Sequence, residues 1–280
     1  MTIYKEFALV YHLGPYTAYS LRMAELLPNV LDHFDCHPQS LLDLACGEGS
    51  FSIHEAQTGL RVTGVDASAS MLQIARIQAA GQAVKGQFLE MDMRNLDFDS
   101  SFDLVTCWFD SLNYLLELAD LEKTFRGVEK AIKPRGLFIF DMNTIYGLAV
   151  LWQQPAYTIQ QDTPELVEIH RSSFDYDRST ATVNITAFIQ ADQGWQRMDE
   201  IHQERGYPLA QINDLLAVCG CEVLGCYGNL HDLSEPELDS GRVWFVAQKS
   251  GSQGEPGSKK RIQPIRRRPF KGNPGRKAHH

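Results

Sequence analysis

The stretch that decides the fold is Leu41-Leu42-Asp43-Leu44-Ala45-Cys46-Gly47-Glu48-Gly49-Ser50-Phe51. Its leucines form the short apolar run that is typical of a strand buried on both faces. Gly47 and Gly49 allow a tight turn and a close approach of a ligand to the backbone, because neither residue has a Cβ atom. The helix that follows is expected to present free backbone N–H groups to that ligand.

Strands and helices alternate on either side of this turn. Apolar runs predict further strands over 60–66, 87–92, 102–109 and 137–141, and helical periodicity predicts helices between them. This alternation predicts an α/β fold with a doubly wound, mostly parallel sheet. From 157 to 207 the apolar residues alternate at period two, which predicts antiparallel hairpins inserted after strand five. Two later strands bring the main sheet to seven.

The chain divides into five predicted segments. They are an N-terminal helical cap (1–37), a ligand-binding core (38–143), an antiparallel insert over the acceptor side (144–207), the end of the core sheet (208–249) and a basic disordered tail (250–280). The tail is rich in glycine, proline and basic residues and lacks apolar periodicity, which is typical of disorder.

Composition excludes several classes of protein. The 280 residues are 44% apolar and 22% charged, as in ordinary globular proteins. No apolar run reaches the roughly 20 residues that span a bilayer, and the N-terminus lacks a secretory pattern. Six cysteines in mostly apolar segments indicate reduced thiols and a cytoplasmic protein. The spacing of Cys219, Cys221 and Cys226 matches no common zinc pattern, so no metal is predicted.

The net charge of −9 hides an uneven distribution. Residues 250–280 hold nine of the 26 basic side chains and one of the 35 acidic ones, so the rest of the chain is strongly acidic. An acidic body is not expected to bind nucleic acid by itself. The tail could bind RNA or an acidic surface, or could only add solubility, and both interpretations stay open.

Three acids narrow the choice of ligand for the glycine turn. A P-loop would need Gly-Lys-Ser/Thr, and a dinucleotide site would need a third glycine; the chain has neither. Asp43, Asp66 and Asp92 follow or end three successive strands, so their carboxylates should line one sheet edge, where they would repel a phosphate. A ligand with an ammonium group, a ribose diol and an adenine amine suits them.

These motifs resemble those of the class I S-adenosylmethionine-dependent methyltransferases, which have a Rossmann-like fold. The resemblance covers about residues 38–142. It implies that Asp43 and the backbone from Ala45 through Gly47 to Gly49 hold the methionine part of S-adenosyl-L-methionine. It further implies that Asp66 binds the ribose, with Ala67 and Met71 beside it, that Asp92 and Met93 hold the adenine, and that the backbone near Trp108 receives the amino group.

Within that class the chain is most similar to bacterial small-molecule N-methyltransferases that act on glycine, sarcosine and amino sugars. Three features carry this resemblance: the tyrosine-rich N-terminal segment, the Cys107–Leu115 stretch and the antiparallel insert. It implies that Tyr11 folds over the cofactor and that Arg22 meets its carboxylate. The segment Asp141–Thr144 lacks the arginine that glycine enzymes place there, which argues against glycine as the substrate.

Three residues are candidates for catalysis. Asp110 and Tyr114 follow the fourth strand, where the methyl group must leave, and His202 is a possible base on the insert. Asp110 could instead cap the next helix. His202, together with Glu200 and Glu204, could instead belong to a polar sheet face that meets solvent.

The sequence therefore predicts methyl transfer to a small-molecule acceptor, with an amine favoured. Two alternatives remain at this stage: an RNA or protein methyltransferase guided by the basic tail, and a binding module that keeps the cofactor fold without catalysis. No membrane association is expected, and the oligomeric state is not predicted.

Overall fold

The computed structural model describes residues 7–155, 157–192 and 194–250. The predicted disordered tail, with its basic clusters at 259–261 and 266–268, therefore lies outside the described residues except for Ser250. No helix in the described ranges combines the length and the apolarity that crossing a bilayer requires.

Eleven strands occur in the described residues. They are β1 (Ser40–Leu44), β2 (Arg61–Asp66), β3 (Gln87–Glu90), β4 (Phe102–Cys107), β5 (Ile132–Asn143), β6 (Tyr157–Asp162), β7 (Leu166–Asp175), β8 (Thr180–Ala191), β9 (Gly194–Arg205), β10 (Cys221–Tyr227) and β11 (Arg242–Lys249). Seven of them form one sheet in the order β10-β11-β5-β4-β1-β2-β3. The five strands from β1 to β5 pair in parallel, whereas β11 and β10 are antiparallel additions. This confirms the predicted seven-stranded, mostly parallel sheet.

Seven α-helices connect or cover these strands in the described residues. They are α1 (Phe7–Leu13), α2 (Thr17–His33), α3 (Ser50–Gln57), α4 (Ala69–Gly81), α5 (Leu118–Ala131), α6 (Ile145–Ala149) and α7 (Leu209–Val218). Short 3-10 helices occupy Met93–Asn95, Ser111–Tyr114 and Leu151–Gln153. Ser68 caps α4 by accepting a hydrogen bond from the N–H of Met71.

The main sheet is covered on both faces. Residues of α5 and α7 pack with β1, β4, β5 and β11 in one apolar cluster. Residues of α2 and α3 pack against the opposite face, and α4 joins α3 over β2 and β3. Every residue of β1 is buried, as expected for a central parallel strand. The carboxyl ends of the parallel strands therefore form the one edge at which a ligand can meet several strands.

Strand β5 begins earlier than the sequence predicts. It starts at Ile132 and not at Leu137, because residues 133–136 form an irregular stretch in which Arg135 has a φ of 65°. The pairing with β4 shifts register there, from Phe102 opposite Ile132 to Leu104 opposite Leu137. The Lys-Pro-Arg-Gly segment is thus a bulge within a strand.

The insert is a separate four-stranded antiparallel sheet in the order β6-β7-β8-β9, which confirms the predicted hairpins. One face carries an apolar row along β8 that includes Val183, Ile185 and Ala187. His202 and Glu204 lie on the same face and are only 5% and 3% exposed. The expectation that this polar face meets solvent is therefore wrong, because α1 and the loop after β4 cover it.

Candidate active site

The glycine turn after β1 has the conformation that its sequence predicts. Ala45, Gly47 and Gly49 have φ values of 51°, 56° and 85°, in the left-handed region that glycine adopts at little cost. A Cβ atom at Gly47 would lie 3.2 Å from Cε of Met71, and one at Gly49 would lie 2.9 Å from Cβ of Ala75. Helix α4 therefore packs so closely that only glycine fits at Gly49.

Asp66 at the end of β2 fixes this turn. One carboxylate oxygen accepts a hydrogen bond from the N–H of Gly47 at 2.8 Å, and the other accepts from the N–H of Ser68 at 2.7 Å. Burial raises the pKa of Asp66, while these backbone hydrogen bonds oppose the rise. Ala67 is exposed beside it, and Met71 is buried in the first turn of α4. The predicted residues Gly47, Asp66, Ala67 and Met71 thus lie together.

Asp43 lies beneath the turn. Its carboxylate accepts hydrogen bonds from the hydroxyls of Ser52 at 2.6 Å and Thr106 at 3.0 Å, and the residue is 2% exposed. Burial raises the pKa of Asp43 to about 7. Its contacts tie β1 to α3 and β4, so it supports the turn from inside the protein.

Asp92 is engaged by a neighbour. It accepts a hydrogen bond from the N–H of Arg94 at 2.9 Å and forms an ion pair with the same guanidinium, which also reaches Asp120 at 3.1 Å. The hydrogen bond from Arg94 holds the pKa of Asp92 below its usual range. Met93 is half-buried against the core next to it. Asp92 and Met93 reach the same sheet edge as Asp66, because the N–H of Met91 still bonds to the carbonyl of Asp66.

The loop after β4 has two consecutive non-glycine residues in the left-handed region. Phe109 and Asp110 have φ values of 59° and 54°, a conformation that costs energy for each. Asp141 at the end of β5 holds both, because its two oxygens accept their N–H groups at 2.6 and 2.9 Å. Trp108, just before them, is 5% exposed and packs edge to face on Phe51 at 5.6 Å.

Arg242 of β11 lies against this loop. It forms ion pairs with Asp110 at 2.8 Å and with Asp141, and its guanidinium lies 4.9 Å from the ring of Tyr19 and 5.6 Å from that of Phe109. Burial opposes the charge of Arg242, but the two aspartates more than offset it and raise its pKa. The sequence analysis missed Arg242 and Asp141, although their position at two strand ends is a signal that could have found them.

Asp110 does not cap the 3-10 helix that follows it, so the interpretation as a capping residue is wrong. Its carboxylate instead accepts from Asn143, whose amide also donates to Glu204 of β9 at 2.9 Å. Burial, followed by the charge of Asp110, raises the pKa of Glu204 well above its usual value. A chain of buried polar groups therefore runs from β11 through the loop to the insert.

Tyr114 and His202 meet, although 88 residues separate them. The hydroxyl of Tyr114 lies 2.8 Å from Nδ1 of His202, and Nε2 of His202 lies 3.1 Å from the carboxylate of Glu200. Phe7 packs edge to face on the His202 ring at 5.3 Å, and its N–H donates to Glu200 at 3.3 Å. The three candidate catalytic residues therefore cluster at the junction of the loop after β4 with β9.

Asn113 also joins these segments. Its side-chain amide donates to the carbonyls of Asn143 at 3.0 Å and Arg205 at 2.8 Å, and its oxygen accepts from the N–H of Asn143 at 2.9 Å. The side chain therefore takes the place of a peptide group between the end of β5 and the end of β9.

The N-terminal segment covers the glycine turn. Tyr11 is 8% exposed and stacks on Tyr16 at 4.8 Å, with Phe109 6.4 Å away. Burial, and next the charges of Glu48 and Asp110, raise the pKa of Tyr11. Arg22 is exposed on α2, so the guanidinium that the structure places at the loop after β4 is that of Arg242.

Glu48, within the glycine turn, binds side chains of the N-terminal segment. The sequence did not predict this role. Its carboxylate lies 2.9 Å from Nδ1 of His12 and accepts from the hydroxyl of Thr17 at 3.1 Å and the amide of Gln78 at 2.7 Å. The residue is 3% exposed. The turn is thereby tied to α1, α2 and α4 at once.

Comparisons with known proteins agree with this geometry. Residues 41–136, from β1 into β5, match a methyltransferase domain family. A putative methyltransferase of Bacillus subtilis (strain 168) is 32% identical over 253 residues, which cover 89% of this chain and 98% of that protein. The chain belongs to the S-adenosylmethionine-dependent methyltransferases. This confirms the family that the motifs from Asp43 to Asp92 indicated.

Two solved structures extend the match beyond that domain. An S-adenosylmethionine-dependent methyltransferase from Clostridium acetobutylicum ATCC 824 matches with a TM-score of 0.76 at 26% identity. The match covers 89% of this chain and the whole of the Clostridium chain. A sugar N-methyltransferase from Streptoalloteichus sp ATCC 53650 has a TM-score of 0.66 at 20% identity, covers 81% of this chain and 87% of its own, and so shares the fold. The likeness therefore includes the insert of this methyltransferase as well as its core.

The residues present fit the cofactor of this family, S-adenosyl-L-methionine. At Gly47 and Gly49 the backbone turns without side chains, which leaves it accessible on the ligand side. Carboxylates line the same edge, and Tyr11, Tyr16 and Phe109 supply aromatic faces. Anionic and aromatic groups are the partners that a sulfonium cation prefers in a site closed to water.

Proposed function

We propose that this methyltransferase transfers its methyl group to an amine of a small molecule. The observation that carries the proposal is the charge around the site: the described residues place seven carboxylates there, two of which pair with one guanidinium. They are Glu48, Asp66, Asp110, Asp141, Glu168, Glu200 and Glu204, and the guanidinium is that of Arg242. Such surroundings favour a cationic acceptor, because an anionic one would be repelled and a buried charge needs a counter-charge.

Cofactor binding is assigned to the edge formed by β1, β2 and β3. We propose that the backbone from Ala45 to Gly49 holds the methionine part and that Asp43 supports this turn from below. Asp66 would bind the ribose, beside Ala67 and Met71. The cluster of Asp92 and Met93 would hold the adenine, with Arg94 sharing the carboxylate. The backbone at Trp108 would receive the amino group, and Tyr11 would cover the whole.

The acceptor side is assigned to the junction between the loop after β4 and the insert. When bound, the cofactor supplies a methyl group on a positively charged sulfur, which is already a good leaving group. The protein therefore has mainly to hold the nucleophile in line and to exclude water. The left-handed Phe109-Asp110 pair, held by Asp141, and the roof formed by residues 144–207 can do both.

A proton must leave an ammonium acceptor before its nitrogen can attack, because the attacking nitrogen needs a free electron pair. We propose that the Tyr114 hydroxyl contacts the amine and that Nδ1 of His202, 2.8 Å behind it, takes part in removing the proton. The carboxylate of Glu200 lies 3.1 Å from the other ring nitrogen, Nε2, and would stabilise the protonated imidazole. Asp110 lies beside them and would attract the cation.

An acceptor screen tests the proposal. The full chain is incubated with S-adenosyl-L-methionine and sets of amines, amino acids, amino sugars, phenols and RNA, and S-adenosylhomocysteine formation is measured. We expect turnover with amines, and we expect Tyr114→Phe to lower kcat more than it raises the Kd of the cofactor. Turnover with phenols or RNA alone would contradict the amine assignment. The exposed Tyr176, replaced by Phe, is the matched control.

A further inference from the structure

A carboxylate in the roof of the site has one oxygen without a partner. Glu168 of β7 is fully buried, with 0% of its surface exposed. Oε1 accepts a hydrogen bond from the hydroxyl of Tyr16 and lies 2.6 Å from Nε2 of His170. No described residue donates to Oε2. A buried carboxylate oxygen normally has a donor, because desolvation without one is costly.

Glu168 faces the site and not the outside of the insert. It lies opposite Ala187 in the sheet, and Leu166 is two residues away on the same face. Leu166 and Ala187 pack in one cluster with Tyr11 and Met71, the two residues that cover the glycine turn. The unpartnered oxygen therefore lies on the sheet face that is turned towards the cofactor edge.

The surroundings of this oxygen suit a cation. The hydroxyl of Tyr16 bonds to Glu168. The Tyr16 ring is stacked on the Tyr11 ring at 4.8 Å between centroids and lies 6.3 Å from the Phe109 ring. Aromatic faces beside a carboxylate form the usual environment of a bound ammonium group. The ion-pair partner of Glu168 among the described residues is His170, which contacts Oε1 and leaves Oε2 without a donor.

We infer that Glu168 binds a second ammonium group of the acceptor, distinct from the nitrogen that is methylated. The acceptor class is then a diamine or polyamine, with one nitrogen at the Asp110–Tyr114 loop and another at the roof. This inference rests on the proposed function, because it adds to an amine acceptor the requirement of a second charge. The Tyr16 hydroxyl and the His170 ring hold Oε1, which leaves Oε2 directed to the ligand.

Titration calorimetry on the full chain saturated with S-adenosylhomocysteine tests the inference. The probes are α,ω-diamines and the monoamines of the same carbon number. We expect the best diamine to bind about tenfold or more tightly than its monoamine, as for a charge-assisted hydrogen bond. Glu168→Gln, which keeps an acceptor for Tyr16, should remove that advantage and leave monoamine binding unchanged.

Two control variants separate the ligand contact from a structural role. Glu165→Gln alters an exposed carboxylate three residues away and should leave the diamine advantage intact. Tyr16→Phe removes one donor to Oε1 and should lower the advantage less than Glu168→Gln does, since Oε2 remains. Loss of the advantage in Tyr16→Phe to the same extent as in Glu168→Gln would show that Glu168 acts only through Tyr16, and would overturn the inference.

The remaining outcomes are also decisive. Equal binding of diamines and monoamines to the unaltered chain, or no effect of Glu168→Gln on the diamine advantage, would overturn the inference. A weaker Kd for S-adenosylhomocysteine in Glu168→Gln would assign the contact to the cofactor and overturn the inference. If amines are methylated and Glu168→Gln has no effect, the proposed function stands and the inference fails. If diamine binding depends on Glu168 but no methyl group is transferred, the diamine site stands and the proposed function fails.

Discussion

The cofactor edge and the acceptor side are built in different ways. At the cofactor edge the partners are close in sequence: 19 residues separate Gly47 from Asp66, and two separate Asp92 from Arg94. On the acceptor side they are distant: 88 residues separate Tyr114 from His202, and 132 separate Asp110 from Arg242. One region is set by local backbone geometry, and the other forms only when the insert, the N-terminal segment and β11 have assembled.

This difference predicts how each region responds to change. Loss of a group at the cofactor edge should impair cofactor binding and leave the rest of the protein folded. Loss of a group on the acceptor side should release several distant segments together, because buried charges hold them. The following predictions test this contrast, in order of decreasing expected effect.

The largest effect is expected from Arg242→Met. The change leaves Asp110 and Asp141 buried without a counter-charge, and breaking a buried ion pair costs about 3–5 kcal/mol of the free energy of unfolding. Urea unfolding measures it. Arg126→Met is the matched control, because its pair with Glu122 is exposed to solvent and its loss should change the free energy of unfolding little. Similar losses in both variants would remove the contrast between the two regions.

A pH-dependent effect is expected at Asp43. Its pKa is raised to about 7 in the folded protein, so between about pH 4 and pH 7 the folded state holds a proton that the unfolded state has released. Stability from this group is therefore present at low pH and falls as the pH rises to 7, by up to about 1.4 kcal/mol per pH unit.

Asp43→Asn removes that dependence, because an amide does not titrate in this range. Between pH 5 and pH 8, the free energy of unfolding should fall by more in the unaltered protein than in the variant. Parallel curves for the two proteins would show that Asp43 is ionised in the folded state. Asp97→Asn, at an exposed position, should run parallel to the unaltered protein.

A cofactor-specific effect is expected from Asp66→Ala. The carboxylate fixes the N–H of Gly47 and, by our assignment, binds the ribose, so its loss should weaken cofactor binding by about 1.5–3 kcal/mol, roughly tenfold to 100-fold. The Kd of S-adenosylhomocysteine measures this. The exposed Asp99→Ala should leave the Kd unchanged. An unaltered Kd in Asp66→Ala would contradict the assigned cofactor edge.

The smallest effect is expected when residues 251–280 are removed. An acceptor that is a small molecule has no need of a basic segment, so kcat and KM for the best amine should change less than about twofold. The measurement is repeated at two salt concentrations, because binding to RNA would show a steep salt dependence that the truncation abolishes. A large loss of turnover would favour a macromolecular acceptor. The basic tail would then be a third region that takes part in acceptor binding.

The sequence predicts the geometry of the glycine turn well because the signals there are local. Two glycines after an apolar strand and an acid at the next strand end already determine the turn around Gly47 and its partner Asp66. It predicts Tyr114 and His202 separately, but not that they meet, because their contact depends on how the insert packs. Arg242, Asp141 and Glu48 were missed, since each acts through partners that no spacing along the chain reveals. Arg22, chosen by resemblance, is exposed.

The Asn113 amide has a consequence for how such enzymes can diversify. By bonding to the backbone at the ends of both β5 and β9, it anchors the insert through main-chain atoms and not through the side chains of those strands. Exposed side chains along β6, β7 and β8 can therefore be exchanged without disturbing this anchor. By the proposed function, substitutions at such positions in the roof would change which acceptor fits while the anchor stays in place.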